Sequence, residues 1–286
     1  MNLPDSTATE IVNKIVKMPP QRYTHAIVAR ISESLKSSGE FNYTVAKKQH
    51  HDFCALLRDV GLDVIELPPD DMLPEGVFVE NAAVICNGVA LISRSDNLLR
   101  QREADSMEII LKKELDIPVV NPNISNALLD GGDVLFTGRE FFVGISNYTN
   151  EDGAKTVAVA FPEYPVTPIK VNGNKRLKYY VTMAGPDVLS VSTSIYCQEI
   201  VKRMEREASF KYQKITLPEE HAANMLYVNG ILIHRSPNEI PASYKVIKEK
   251  IDTPSRNIDI SEFGKFASGL TSSCLLLRRW KSIRNI

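Results

Sequence analysis

The sequence predicts a single α/β domain built by radial repetition of one supersecondary unit. Three observations carry that expectation. A hairpin, a helix and then a short strand recur at roughly 50-residue intervals. Three of the hairpins turn on glycine dipeptides, Asn87-Gly88, Thr137-Gly138 and Asn229-Gly230, set between apolar runs. No stretch rich in Pro, Ser or Gly divides the 286 residues. In such an arrangement strand ends meet near an axis, and a site would gather side chains from several units.

Taken in order, residues 1–20 end in Met18-Pro19-Pro20 and read as an N-terminal extension over the surface, with the domain spanning 21–286. Thr24–Ile31 reads as a buried strand. Val45–Val60 carries Ala46, Phe53, Leu56, Leu57 and Val60 near helical spacing and stops at Gly61, a helix C-cap. Asp63–Leu67 is a strand closed by Pro68-Pro69. The apolar runs Val77–Val79 and Ala82–Cys86 lead into the Asn87-Gly88 turn, and Val89–Ser93 returns. Arg100–Leu115 is a second amphipathic helix and Ile117–Val120 a strand. After a hairpin at 134–143 come a helix at Gly153–Phe161 and strands at Val166–Val171, Tyr179–Met183 and Val188–Val191. Ser194 caps a helix running to Ala208. Strands at Ile215–Leu217, Met225–Val228 and Ile231–His234, a helix at Ala242–Ile251, a strand at Asn257–Ile260 and the apolar segment Leu270–Leu277 complete the chain.

Composition narrows the class of function. A hydrophobic content of 43% and a charged content of 24% suit a soluble domain with a sizeable core. The formal charge of −1 gives no electrostatic case for nucleic acid or an anionic membrane. No apolar run approaches the roughly 20 residues that span a bilayer, and Met1–Lys17 lacks the pattern of a signal peptide. The four cysteines, at 54, 86, 197 and 274, form no CxxC pair and have no ligand cluster around them. That excludes a disulfide framework and a structural zinc site, and points to the cytosol. Cys54, Cys86 and Cys197 read as small core residues. Neither a metal nor an organic cofactor is expected.

The segment Leu128–Gly144 stands out. Its apolar runs Val134–Phe136 and Phe141–Val143 flank Thr137-Gly138-Arg139, a hairpin pattern. Before them stands Asp130-Gly131-Gly132-Asp133, two carboxylates on a flexible double-glycine bend that can receive a cation from a cleft.

This run resembles the dimethylarginine dimethylaminohydrolase family, cytosolic enzymes that convert methylated arginines to citrulline and a methylamine. Further matching stretches are Thr24–Ala29, Glu66-Leu67-Pro68, Leu73–Ile85, Ala90–Arg94, Met183-Ala184-Gly185-Pro186 and Ile233–Pro237, in the family's order over nearly the whole chain. The resemblance implies the pentein fold, an α/β propeller of five ββαβ units around a central site, and a small guanidino compound as ligand. Family chemistry uses a thiolate that attacks the guanidinium carbon and a His that protonates the departing amine and then activates water. Carboxylates hold the guanidinium N–H groups in line.

Carried over residue by residue, Glu80 matches the guanidinium-binding Glu and Asp130 the carboxylate before the double glycine. Glu75 replaces an Asp of the same role, and Arg100 matches a substrate-contacting arginine. Asn81 stands where the family has a second acid. The remaining positions depart further. Arg176, in Lys175-Arg176-Leu177-Lys178, occupies the place of the catalytic His and cannot exchange a proton at working pH. Tyr148 replaces an Arg that grips the substrate carboxylate, offering one neutral hydrogen bond. Aligned on Leu270-Thr271, the nucleophile position is Ser272. Aligned on the following apolar run, as in the family's second vertebrate paralogue, it is Cys274, which its apolar neighbours alone would mark as a core cysteine. Two residues along a strand would move the sulfur by about 7 Å. None of the five histidines falls in the acid/base slot. Lys175–Lys178 and Arg278-Arg279 read as solvated basic faces. Two expectations of function follow: a hydrolase of methylated arginines with impaired turnover, or a pentein-fold pseudoenzyme that binds or regulates. Oligomeric state is not readable.

Overall fold

A computed structural model describes residues 22–38, 41–265 and 269–279; the extension expected at 1–20 lies outside them. Strand β1 (His25–Ala29) leads through helix α1 (Tyr43–Asp59) to β2 (Asp63–Leu67), which lies parallel to β1. The antiparallel pair β3 (Ala83–Cys86) and β4 (Val89–Ile92) continues through α2 (Leu98–Ile109) to β5 (Val119–Val120), parallel to β4. The plan repeats with β6 (Val134–Phe136), β7 (Phe141–Ile145), α3 (Glu151–Ala160) and β8 (Val166–Lys170). A helical turn α4 (Leu177–Tyr180) precedes β9 (Val181–Gly185), β10 (Val188–Ser192), α5 (Ile195–Glu207) and β11 (Gln213–Leu217). The last full unit is β12 (Leu226–Val228), β13 (Ile231–Arg235), α6 (Pro241–Lys250) and β14 (Ser255–Ile258). Strand β15 (Leu275–Leu277) pairs antiparallel with β1. The result is five three-stranded sheets of ββαβ plan. The first unit borrows its leading strand from the C-terminal end of the chain, so strand pairing closes the ring.

Local chemistry accounts for the punctuation. Asn87 (φ 50°) and Gly88 (φ 75°), and Asn229 (φ 51°) and Gly230 (φ 91°), take the left-handed pairs that a two-residue hairpin requires. The fourth hairpin turns at Pro186-Asp187, where Asp187 alone is left-handed (φ 56°) and no glycine marks the turn in the sequence. Asn42, Asn97, Asn150 and Ser194 cap α1, α2, α3 and α5 by accepting backbone N–H bonds; each such cap is worth about 1 kcal/mol.

Three expectations shift. Val77–Val79 is not extended: Pro74–Val77 and Val79–Ala82 form consecutive 3-10 turns, the first with Pro74 supplying the φ that opens a helical turn. The second helix starts at Leu98 and ends in a π turn, Ile110–Glu114. The strand expected from Tyr179 begins only at Val181, because Leu177–Tyr180 are wound into α4. Each helix lays an apolar face on its sheet; α1, for example, buries Ala46, Phe53, Cys54 and Leu57. Fully burying a Phe or Leu contributes about 1.5–3 kcal/mol. Cys54, Cys86 and Cys197 are buried free thiols, as expected.

Candidate functional site

The site is made of turns. One short turn precedes the leading strand of each unit: Val79–Ala82, Gly131–Asp133, Leu177–Tyr180, Glu220–Ala223 and Thr271–Ser273. They touch one another in the middle of the ring, with Asn224 Nδ2 donating to Thr271 Oγ1 at 2.9 Å. Five separate segments thereby converge, and four of them carry polar groups that meet.

Glu80 sits on the first of these turns. Its carboxylate accepts from Lys178 Nζ at 2.6 Å and from Thr271 Oγ1 at 2.9 Å. The Lys178 and Glu80 side chains are only 14% and 11% exposed, so this is a buried ion pair. Burial pushes the Glu80 carboxyl above its ordinary value, against the pull of Lys178 and the two hydrogen bonds.

Asp130 sits beside it and takes a different cation. Its Oδ2 accepts from Arg176 Nη2 at 2.8 Å, again with both side chains largely buried. Burial works to lower the Arg176 guanidinium, but the Asp130 carboxylate more than offsets it by charge and hydrogen bond, and Arg176 is held above its ordinary value. Tyr148 lays its ring 4.1 Å from the Arg176 guanidinium carbon, a cation–π contact in place of the hydroxyl hydrogen bond expected of it. The two glycines between the acids serve close approach and not flexibility. A Cβ on Gly131 would lie 2.0 Å from the Glu80 carbonyl oxygen, and one on Gly132 would lie 2.5 Å from Arg176 Cδ. Asp133, read from sequence as a second cation receiver, instead accepts from Ser146 Oγ, Thr149 Oγ1 and the Leu177 N–H. Buried and beside Asp130, its carboxyl is pushed up to about 7. It fixes the backbone that carries Arg176.

Beside the Asp130–Arg176 pair opens a pocket of about 430 Å3. Its wall includes Glu75, Asn81, Ser93, Arg100, Tyr148 and Lys175, along with Asp130 and Arg176. Asn81 donates to Asp130 Oδ1 (3.2 Å) and accepts from Arg100 Nη2 (2.8 Å), the amide orientation its neighbours demand. Arg100 also meets Glu75 at 3.3 Å and Glu103 at 2.5 Å. Burial pushes the Glu103 carboxyl up to about 7, with the Arg100 charge opposing. Glu75, more than half exposed, stands at the mouth.

Neither nucleophile candidate lines that pocket, although both sit on or next to the Thr271–Ser273 turn. Thr271–Ser273 is a 3-10 turn, so the strand spacing used to separate Ser272 from Cys274 does not apply there. Ser272 is buried and its hydroxyl donates to the Gly269 carbonyl at 2.7 Å. Cys274, 2% exposed, packs in the apolar core with Phe53, Phe78 and Leu270. Burial, reinforced by the Glu80 charge, raises its thiol far above the ordinary value. No histidine lines the pocket: His234 is buried with Nδ1 on the Arg235 carbonyl, and His221 meets the Glu239 carbonyl.

Of the residues singled out from sequence, Glu75, Asn81, Arg100, Asp130, Tyr148 and Arg176 line this pocket, and Glu80 lies on the neighbouring Val79–Ala82 turn. Sequence reading missed Lys178, Thr271, Asn224 and Glu103. Lys175–Lys178, read as a solvated basic face, is only partly so: Lys175 is exposed while Arg176 and Lys178 turn inward onto acids. The available signal was two buried-type acids with two cations spaced i, i+2 on one later segment.

A closed ring of five ββαβ units with its polar groups on the central turns defines a pentein-fold protein. Residues 20–245 match the family model described as N,N dimethylarginine dimethylhydrolase, eukaryotic, and the chain belongs to the dimethylarginine dimethylaminohydrolase family. It is 35% identical over 272 residues to the human protein named “Putative hydrolase DDAH2”, covering 90% of this chain and 95% of that one. Identity to the N(G),N(G)-dimethylarginine dimethylaminohydrolase of Pseudomonas aeruginosa is 27%, over 84% of this chain and 91% of that one. A citrulline complex of a Cys-to-Ser variant of the Pseudomonas aeruginosa enzyme superposes with a TM-score of 0.77 at 22% identity, covering 90% of this chain and 100% of that one. Among the described residues no group of His, Cys, Asp and Glu is arranged to hold a metal, and no helix is long and apolar enough to cross a membrane.

Proposed function

We propose that this protein is a catalytically silent member of the dimethylargininase family, a pentein that binds or regulates and does not hydrolyse methylarginine. One observation carries the reading: the two acids that would grip a substrate guanidinium, Glu80 and Asp130, are each already paired with a cation of the same chain. The supporting chemistry points the same way. Attack on a guanidinium carbon needs a thiolate, and the Cys274 thiol is buried and pushed toward its protonated form. Release of the amine needs a proton donor, and Arg176 cannot give its proton up.

The test is direct. The purified protein is incubated at high concentration with Nω,Nω-dimethylarginine, and citrulline is measured against a no-enzyme control. No citrulline above the control is expected; turnover that disappears in Cys274→Ser would overturn the reading. A second reading, hydrolysis through Cys274, is favoured by Thr271, three residues before the thiol, donating its hydroxyl to Glu80 at 2.9 Å, so that acid and thiol share one end of the ring. It would require Lys178 and Arg176 to leave their acids first. Four buried free thiols suit a reducing cytosol, and we place residues 21–286 in a single domain preceded by a short extension.

A further inference from the structure

We propose that Arg176 is a tethered ligand: its guanidinium fills, in cis, the position where the pocket would hold a free guanidinium. The inference rests on the reading of Glu80 and Asp130 as the family's cation-gripping acids and goes beyond it, because it assigns the occupant and says what removing it would create.

Four features of the Arg176 environment fit recognition of a planar cation. A carboxylate oxygen of Asp130 receives an N–H at 2.8 Å. An aromatic face, Tyr148, covers the guanidinium at 4.1 Å. Gly132 has no Cβ, which leaves room for the arginine stem to pass. Asp133 accepts the Leu177 N–H at 2.8 Å and so locks the next residue's backbone, which sets the angle at which Arg176 enters. A carboxylate with an aromatic lid is how proteins commonly recognise a free guanidinium or alkylated cation. Here the recognised group is attached to the chain. Tethering removes the translational and rotational cost that a free ligand pays, so a cis guanidinium competes at a high effective concentration. Its charge also repels a second cation at the same place.

The pocket of about 430 Å3 beside Arg176 adds a second, independent observation. Ser93 lines it with a buried hydroxyl that has no hydrogen-bond partner. There is therefore open volume with unspent polar capacity directly beside the occupied acid. A guanidine freed from competition would have Asp130 to pair with, Tyr148 to stack on and Ser93 to meet.

The experiment compares the full-length protein with Arg176→Ala and Arg176→Met, the latter keeping an apolar stem over Gly132 if the alanine variant folds poorly. Folding is checked by circular dichroism and thermal melting. Binding of methylguanidinium and of Nω,Nω-dimethylarginine is then measured by calorimetry. The parent is expected to bind neither measurably at millimolar ligand. A folded Arg176 variant is expected to gain at least about tenfold in affinity, and Asp130→Asn in the same background is expected to abolish the gain. Arg176→Lys should remain blocked, since its ammonium still neutralises Asp130. The proposal is overturned if folded variants bind no better than the parent, or if the parent binds as tightly as they do. Absence of citrulline with no affinity gain in the folded variants would overturn this proposal alone, whereas citrulline production by the parent would overturn the silent-enzyme reading and the block together, so the two failures are distinguishable.

Discussion

Replacing Lys178 by Met isolates the energetics of the buried Glu80 pair. The substitution keeps the length and apolar stem of the side chain and removes the ammonium 2.6 Å from Glu80 Oε1. Glu80 would be left with Thr271 as its hydrogen-bond donor, in a site where burial already raises its pKa. An unpaired carboxylate so placed takes up a proton instead of staying charged. In the unfolded chain the same group ionises near 4.5. Holding it protonated at pH 7 therefore costs up to about 3 kcal/mol, from about 1.4 kcal/mol for each pH unit above that value. The sign is set by proton counting: above pH 4.5 the folded variant holds a proton the unfolded chain has lost, so its stability falls as pH rises. Urea unfolding of parent, Lys178→Met and the double variant with Glu80→Gln at pH 5, 6, 7 and 8 measures this. The gap between parent and single variant should widen with rising pH, by up to about 1.4 kcal/mol per pH unit, and the double variant should recover most of the loss at pH 8. A gap that is flat with pH, or a double variant no better than the single one, would refute the buried-pair account.

Two further outcomes follow from other parts of the site. Glu103 is raised by burial from 4.5 to about 7, so it contributes stability that is complete below pH 4.5 and lost as pH rises through 7. Glu103→Gln should flatten the stability–pH curve over that window by about 3 kcal/mol, measured by urea titration. Gly131→Ala places a methyl 2.0 Å from the Glu80 carbonyl oxygen, a backbone atom that cannot yield. It should cost about 3 kcal/mol or more by thermal melting, whereas Gly185→Ala, with nothing within 4 Å, should stay within about 1 kcal/mol.

What could be read in advance followed the range of the forces involved. The Asn-Gly hairpins, the Ser194 cap and the alternation of helix and strand are decided by neighbours in sequence, and they stand where expected. The ring closure through β15 and β1 is a contact across the whole chain that no local pattern encodes. At the site, the residues carried by turn-forming motifs were legible, as with Asp130 before its double glycine. Their charge state was not. Whether Lys178 meets water or Glu80 depends on how α4 is wound against the Val79–Ala82 and Gly131–Asp133 turns, and a four-residue basic run carries no mark of that. The same holds for Cys274: it follows a 3-10 turn and lies buried in the core cluster that includes Phe53 and Phe78, a placement decided by packing.

The measurement closest to the heart of the account is the rate at which Cys274 is alkylated in the native protein by an electrophilic amidine, followed peptide by peptide with mass spectrometry. A thiol buried in apolar surroundings and kept protonated should react no faster than Cys54 or Cys197, and all four cysteines should label together only on unfolding. Rapid labelling confined to Cys274, and blocked by dimethylarginine, would mean that an activated thiolate and an accessible guanidinium site exist after all.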